Sequence, residues 1–346
     1  MQKAEQLAVI YLGTRGGGSR LLRDIYLDFK NSGQSIKVFF KKNSEFSDQF
    51  LADKNSFFQI ELPKNNFFRF IFIPYFAYKN VVKIKHKFPS LEKVVFVMEH
   101  PYNKWFITFL TYKKEIFIVS VLHDRKSHKG QFWPTKRMWT TLIKKSDRVI
   151  FLSEYVMKGF EYQEKFIKSK LQVLRLLEEP LPERDSNLII VPGRIRRYKN
   201  IKSVLKFAKY IDSSQRVLIM GESKYKLKTM HPRVDIINKW FNATDFEFAI
   251  ASSGALLNIY SEASQSGPIA IAMAYNIPII SNGQGGILEQ ISAYPYKLII
   301  STRNQSNLNL NDFISQGQLN FCGGKFSPEL DVTEKIIRIL EEIENK

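Results

Sequence analysis

Cysteine is nearly absent: Cys322 stands alone in 346 residues. That excludes an intrachain disulfide and fits a reducing compartment. Long apolar runs are missing where a targeting segment would need one. The run inside MQKAEQLAVIYLGTRGGG holds about six residues before a Gly turn, too short for a secretory signal core or a membrane span. A cytoplasmic protein is therefore expected. Acidic residues are scarce as well, with 33 Asp+Glu against 52 Lys+Arg and a formal charge of +19. The excess is uneven. Residues 1–180 carry 32 Lys+Arg against 17 Asp+Glu, while 181–346 carry 20 against 16. A basic first half suggests a polyanionic partner, either nucleic acid or an anionic membrane surface, and a solvated positive surface is the alternative. No recognition helix, zinc spacing or RNA-binding motif accompanies that charge.

What is present suits a globular two-domain chain. An apolar content of 44% permits a packed core, and 346 residues exceed one comfortable core. Periodicity fails in LQVLRLLEEPLPERDSN (171–187), where Pro180, Pro182 and four acidic residues mark an interdomain linker. The expected domains are 1–180 and 181–330, with 331–346 as a final amphipathic helix.

The first half reads as alternating strands and helices. Leu7–Leu12 is an apolar strand, GTRGGGSR (13–20) a Gly-rich turn and Leu21–Phe29 a helix, the opening of a doubly wound α/β domain. No Lys-Ser/Thr follows the glycines, so this is not a Walker loop. Further strands are expected at Ile36–Phe40, Phe57–Leu62, Val94–Met98, Ile116–Val121 and Val149–Leu152. Between two of them, 67–88 packs seven aromatics into twelve residues beside Lys79, Lys83, Lys85, His86 and Lys87, with Pro74 breaking the run. It either dips into a membrane interface or forms a core helix with a basic loop. In VSVLHDRKSHKGQFWPTKRMW, His123 and Asp124 follow a strand end, where open α/β sheets bind ligands. His123, Asp124 and His128 lack the further well-spaced ligand that zinc wants, so no metal site is expected.

The second half restarts with NLIIVPGRIRRYKNIKSVLKFAKYI. Arg194 and Lys199 fall between a strand and a helix, where two cations can hold a diphosphate: Arg by paired hydrogen bonds, Lys as a point charge. Strands at Val217–Gly221, Val234–Ile237 and Lys297–Ser301 continue a second sheet. Within NIYSEASQSGPIAIAMAYNIPIISNGQGGILEQ (258–290), strand, small-residue turn and helix from about Ser266 are followed by strand, Gly-rich turn and helix. Both turns precede a helix, whose free N–H groups and dipole favour an anion or sugar hydroxyls.

That last stretch resembles the donor-site motif of retaining GT-B glycosyltransferases of family 4, at Glu262, Ser266, Gly267, Met273, Ala274, Pro278, Gly285, Gly286 and Glu289. The family's usual pair of Glu seven apart is replaced by Ala263 and Ile271. The turn SQSG with Glu262 upstream is similar to a bacterial polysaccharide-type variant. Gly193, Arg194 and Lys199 match the family's Gly-Arg…Lys signature, and His123–Asp124 and Phe151–Phe160 match its first-domain elements. The resemblance implies two Rossmann-like domains facing a cleft, with the final helix crossing back to the first. It implies a metal-independent transferase with no cofactor beyond a UDP- or GDP-linked sugar donor, and a glycan or lipid-linked acceptor in polysaccharide biosynthesis. His123, Asp124 and Glu262 would act at the sugar. Gly17, Arg194, Lys199, Ser266, Gly267, Gly285, Gly286 and Glu289 would hold the donor, and Arg15, Arg20 and His128 would line the acceptor side. The basic first domain would meet an anionic inner membrane face, with no nucleic acid as partner. A nucleic-acid-binding protein, a catalytically silent GT-B scaffold, an inverting transferase and a sugar-nucleotide epimerase remain the alternatives.

Overall fold

The computed structural model describes residues 7–47, 53, 55–62, 66–124, 136–225, 231–300, 310, 313–314 and 331–344; for 66–71, 136–138 and 344 it describes the backbone. The described chain divides into two compact units.

The first unit builds on β1 (Leu7–Tyr11), α1 (Gly17–Asn31), β2 (Lys37–Lys41), β3 (Phe57–Ile60), α2 (Asn66–Lys87), β4 (Lys93–Val97) and α3 (Asn103–Leu110). It continues through β5 (Phe117–Leu122), α4 (Lys136–Lys145), β6 (Arg148–Phe151), α5 (Glu154–Met157) and β7 (Phe166–Lys168). Its strands pair in parallel in the order β3-β2-β1-β4-β5-β6-β7. β1 and β4 are buried along their whole length. A parallel sheet covered on both faces requires this, which is why LAVIY and KVVFV show no alternation. Val9 pairs with Val38 on one side and Val95 on the other.

The second unit holds β8 (Asp185–Pro192), a single 3-10 turn (Arg197–Lys199), α6 (Ile201–Phe207), β9 (Arg216–Met220), β10 (Val234–Ile237) and α7 (Ala243–Ala251). Then come β11 (Ser253–Asn258), α8 (Gly267–Ala274), β12 (Ile279–Ser281), α9 (Ile287–Gln290) and β13 (Lys297–Ile299). This sheet is also parallel, ordered β10-β9-β8-β11-β12-β13. α10 (Asp331–Glu344) returns to the first unit and packs against α1.

Each sheet reverses its strand order beside its first strand, between β1 and β4 in one unit and between β8 and β11 in the other. The crevice outside the carboxyl ends of such strands is where doubly wound sheets take ligands.

Two features depart from sequence expectation. Pro74 does not break the aromatic run: α2 passes straight through it. Proline removes one helix hydrogen bond, here the one to the Phe70 carbonyl, and costs about 3 kcal/mol. Burial of Ile73, Ala77, Val81 and Ile84 along one face offsets that cost. The buried Asn80 amide adds bonds to the Phe76 and Glu61 carbonyls. Second, the division between units falls after Lys170 rather than at 180. The intervening segment is tied to the second unit: Arg175 Nε donates to the Ala274 carbonyl (2.6 Å), Leu176 N–H to Glu247 (2.6 Å) and Leu177 N–H to the Tyr275 hydroxyl (3.0 Å).

Candidate functional site

In the second unit, β8 delivers Pro192, Gly193 and Arg194 to its carboxyl end. Gly193 has φ +93°, a conformation that favours glycine. The 3-10 turn then bends Lys199 back, so that its buried amine donates to the Pro192 carbonyl. A Cβ on Gly193 would stand 2.9 Å from Lys199 Nζ and 3.6 Å from Pro268 Cγ. Lys199, the β8 turn and the start of α8 therefore converge on one spot. The ammonium lies 5.3 Å from the centroid of the Tyr260 ring. Burial pulls its pKa down to about 8. Arg194 is exposed, with its guanidinium 5.3 Å from the Trp240 ring centroid.

Hydrogen bonds join three turns around this spot. Ser261 N–H donates to the Tyr198 carbonyl (2.8 Å), which fixes the turn bearing the half-buried Glu262 beside the Lys199 turn. Asn282 Nδ2 donates to the Tyr260 carbonyl (2.7 Å), and Gly286 N–H to the Ala263 carbonyl (3.0 Å). Gln290 clamps the start of α8, accepting from Ser266 N–H (2.9 Å) and donating to the Ser266 carbonyl (3.0 Å). The Ser266 and Gly286 N–H groups are thus already used inside the chain. An anion at this end of α8 would meet Gly267 N–H. Gly285 adopts φ +65° in the turn ahead of α9, which carries the half-buried Glu289.

Asn258 ends β11 fully buried, and neither its Oδ1 nor its Nδ2 finds a partner among the described residues. Ser266 Oγ is in the same state. Both side chains lie within interacting reach of the buried Tyr260 hydroxyl, so these polar atoms cluster at the carboxyl end of β11.

In the first unit the glycines of the β1–α1 turn divide by role. A Cβ on Gly13 would fall 2.2 Å from the Tyr11 hydroxyl and one on Gly18 2.5 Å from the Tyr11 ring, so these two serve packing. Gly17 has open space around it. Gly16 N–H donates to Glu45 Oε2 (2.8 Å). Arg15 is exposed. Arg20 is buried and pairs with the fully buried Asp24 at 3.2 Å, a carboxylate it shares with Arg23 at 2.8 Å. His128 lies outside the described residues.

His123 and Asp124 follow β5, with His123 Nδ1 3.2 Å from Asp124 Oδ2. Glu99, just past β4, joins them: its Oε2 accepts from His123 N–H at 3.1 Å, and one atom of each of the three side chains lies within 4.8 Å of the others. Burial, then the charge of Asp124, pushes the Glu99 carboxyl up to about 7. Burial alone would lower His123, but Asp124 and then Glu99 raise it to about 9. The distances would admit a cation, yet a protonated imidazole bonded to Asp124 is poorly suited to ligate one.

Sequence reasoning singled out Lys199, Arg194, His123 and Asp124; the geometry sets Glu99, Asn258 and Gln290 beside them, which it did not single out. Glu99 was findable: it follows the fully apolar strand KVVFV, and the carboxyl-end rule that selected His123 applies equally to it.

No protein-family model matches the chain, and no curated protein matches it by sequence. Solved structures do match in shape. A glycosyltransferase from Rickettsia africae is similar at 14% identity and TM-score 0.65, over 98% of each chain. Anabaena HepE, solved with UDP and glucose, is similar at 11% identity and TM-score 0.67, over 98% of this chain and all of that one. The UDP-GlcNAc 2-epimerase of Neisseria meningitidis, solved with UDP-GlcNAc, is similar at 14% identity and TM-score 0.58, over 99% and 100%. Two parallel-sheet units and these likenesses establish the GT-B fold.

Proposed function

We propose that this chain is a retaining, metal-independent glycosyltransferase that moves a sugar from a UDP- or GDP-linked donor to a glycan or lipid-linked acceptor in cell-surface polysaccharide biosynthesis. The observation that carries this is the convergence of Lys199, Gly193 and the start of α8 at the strand-order reversal of the second sheet. As the glycosidic bond breaks, negative charge grows on the departing diphosphate. A preset ammonium, the nearby Arg194 and the Gly267 N–H oppose that charge without reorganising. Asn258 and Ser266 supply polar atoms for the nucleotide or sugar. Glu262 and Glu289 hold donor hydroxyls or the Gly-Gly turn. His123, kept charged and oriented by Asp124, contacts the sugar. That HepE was solved with UDP and glucose, and the Neisseria epimerase with UDP-GlcNAc, supports a nucleotide sugar as the class of ligand.

The protein would work in the cytoplasm, at the inner face of the plasma membrane. Among the described residues no helix is long and apolar enough to cross a membrane. α2 instead turns Phe72, Tyr75, Tyr78 and Val82 outward among Lys79, Lys83 and His86. Aromatics interleaved with cations suit an anionic lipid interface.

The test is a thermal-shift screen of nucleotide sugars, since a ligand that binds only the folded state raises its stability with the logarithm of its concentration. It is followed by transfer assays with the stabilising donor and NMR assignment of the product's anomeric configuration. Retention is expected. An inverted product would contradict the stereochemistry. A donor epimerised without transfer would favour an epimerase, the second reading raised by the Neisseria structure.

A further inference from the structure

Lys199 carries its charge into the interior of the second unit: the residue is 3% exposed, and among the described residues no carboxylate pairs with it. An isolated ammonium is costly to bury, so something other than an anion must hold it. Two neutral groups do. The Pro192 carbonyl accepts a hydrogen bond from the amine, and Nζ stands over the Tyr260 ring, 5.3 Å from its centroid. The negative face of an aromatic ring attracts a cation within about 6 Å, more strongly where water is excluded.

The ring is fixed from several sides. Tyr260 is itself 4% exposed, and its hydroxyl lies within interacting reach of Asn258 at the end of β11 and Ser266 at the start of α8. Its carbonyl accepts from Asn282 Nδ2 (2.7 Å). Tyr198, from the same 3-10 turn as Lys199, packs edge to face against it, with centroids 5.4 Å apart and planes at 83°. Ser261 N–H, one residue on, is bonded to the Tyr198 carbonyl (2.8 Å). β11, α8 and the 3-10 turn therefore set the ring before any ligand arrives.

We propose that Tyr260 is a positioning residue for the diphosphate: its ring face holds the Lys199 ammonium as a neutral counterpart, so that the positive charge stays available to a nucleoside diphosphate; this rests on the transferase reading above. A carboxylate in the same place would also hold the ammonium, but it would cancel the charge that the diphosphate needs. The ring attracts without cancelling. It also spares reorganisation on binding, because the cation is already placed when the anion arrives.

The experiment is calorimetric titration of UDP and of GDP into the full chain as wild type, Tyr260→Leu, Tyr260→Phe, and Tyr260→Phe carrying one, two or three ring fluorines. Fluorine weakens the negative face of the ring with little change in its size, so packing persists while the attraction for a cation declines. Affinity for the nucleotide that wild type binds should fall stepwise along the fluorine series, by about 5- to 30-fold from none to three. Tyr260→Phe should recover most of the affinity that Tyr260→Leu loses. In the nucleotide-free chain, the Lys199 ε-methylene NMR signal, identified by its loss in Lys199→Met, should lie upfield through the ring current in wild type and Tyr260→Phe. It should return to the ordinary lysine position in Tyr260→Leu. The inference is overturned by equal affinity along the fluorine series, or by an ordinary Lys199 signal in wild type. Both readouts decide the matter even where Tyr260→Leu fails to fold. Wild type that binds neither UDP nor GDP removes the transferase reading and this inference with it, whereas binding by wild type with a flat series overturns the inference alone.

Discussion

The amine of Lys199 occupies the space that a side chain on Gly193 would need, 2.9 Å from where its Cβ would lie. Glycine here answers two demands, a φ of +93° and room for a buried ammonium. Gly193→Ala should therefore destabilise the second unit by about 1–3 kcal/mol, from backbone strain and displacement of Lys199. Chemical denaturation measures the first effect. Calorimetric titration with UDP or GDP should show weakened binding as well.

Lys199 also sets a trade between stability and binding. Its folded pKa, about 8, lies below the value of about 10.4 for a free lysine, so the folded state binds fewer protons between those values. The buried charge therefore opposes folding below pH 8, and the penalty fades as pH rises through that window. Lys199→Met should melt higher than wild type at pH 7, with the gain shrinking toward pH 10, yet lose nucleotide affinity. Wild-type affinity for a nucleoside diphosphate should begin to fall above about pH 8, as Lys199 sheds its proton.

His123 gives the opposite sign. With its folded pKa raised to about 9, it stabilises the fold fully below about 6.5, and that contribution disappears as pH rises through 9. NMR titration of the imidazole should place wild-type His123 near 9. In Asp124→Asn the value should drop, because burial then acts with less opposition. An unchanged value would mean that Asp124 does not control the charge.

Gln290 should matter twice. Gln290→Ala removes both bonds to Ser266 and should cost about 1–2 kcal/mol in thermal or chemical unfolding. Gln290→Glu keeps an acceptor for Ser266 N–H and suits the helix dipole, so it should unfold nearer to wild type. Its added negative charge should still weaken nucleotide diphosphate binding.

Tyr75 and Tyr78 are 57% and 54% exposed on α2, so replacing both by Ser should leave stability nearly unchanged. Sedimentation with anionic vesicles should decline in that variant. Zwitterionic vesicles should bind neither protein. Equal sedimentation of variant and wild type with anionic vesicles would remove α2 from the membrane proposal.

The two sheets were legible because buried parallel strands are written as unbroken apolar runs between glycine-rich turns, as in LAVIY before GTRGGG and NLIIV before PGR. Lys199 and Arg194 were legible because their spacing falls between a strand and a helix. What the pattern concealed was consumption of polar groups. Arg20 looks like a free cation in the sequence but spends its charge on Asp24 four residues on, and Ser266 N–H is taken by Gln290, 24 residues away. α2 was misjudged at Pro74 because local propensity counts the lost hydrogen bond and cannot count the buried stripe that outweighs it. Glu99 could have been picked by the rule that picked His123, since it too follows an apolar strand, but its contacts with His123 and Asp124 form only once β4 and β5 pair.

Turnover of the preferred nucleotide sugar by wild type, Arg194→Ala and Lys199→Ala tests the central claim most directly. If these two cations oppose the charge that develops on the leaving diphosphate, each substitution should lower kcat/KM by about 100-fold or more. Turnover within about twofold of wild type in both variants would contradict the account, since loss of transition-state charge stabilisation cannot be that small.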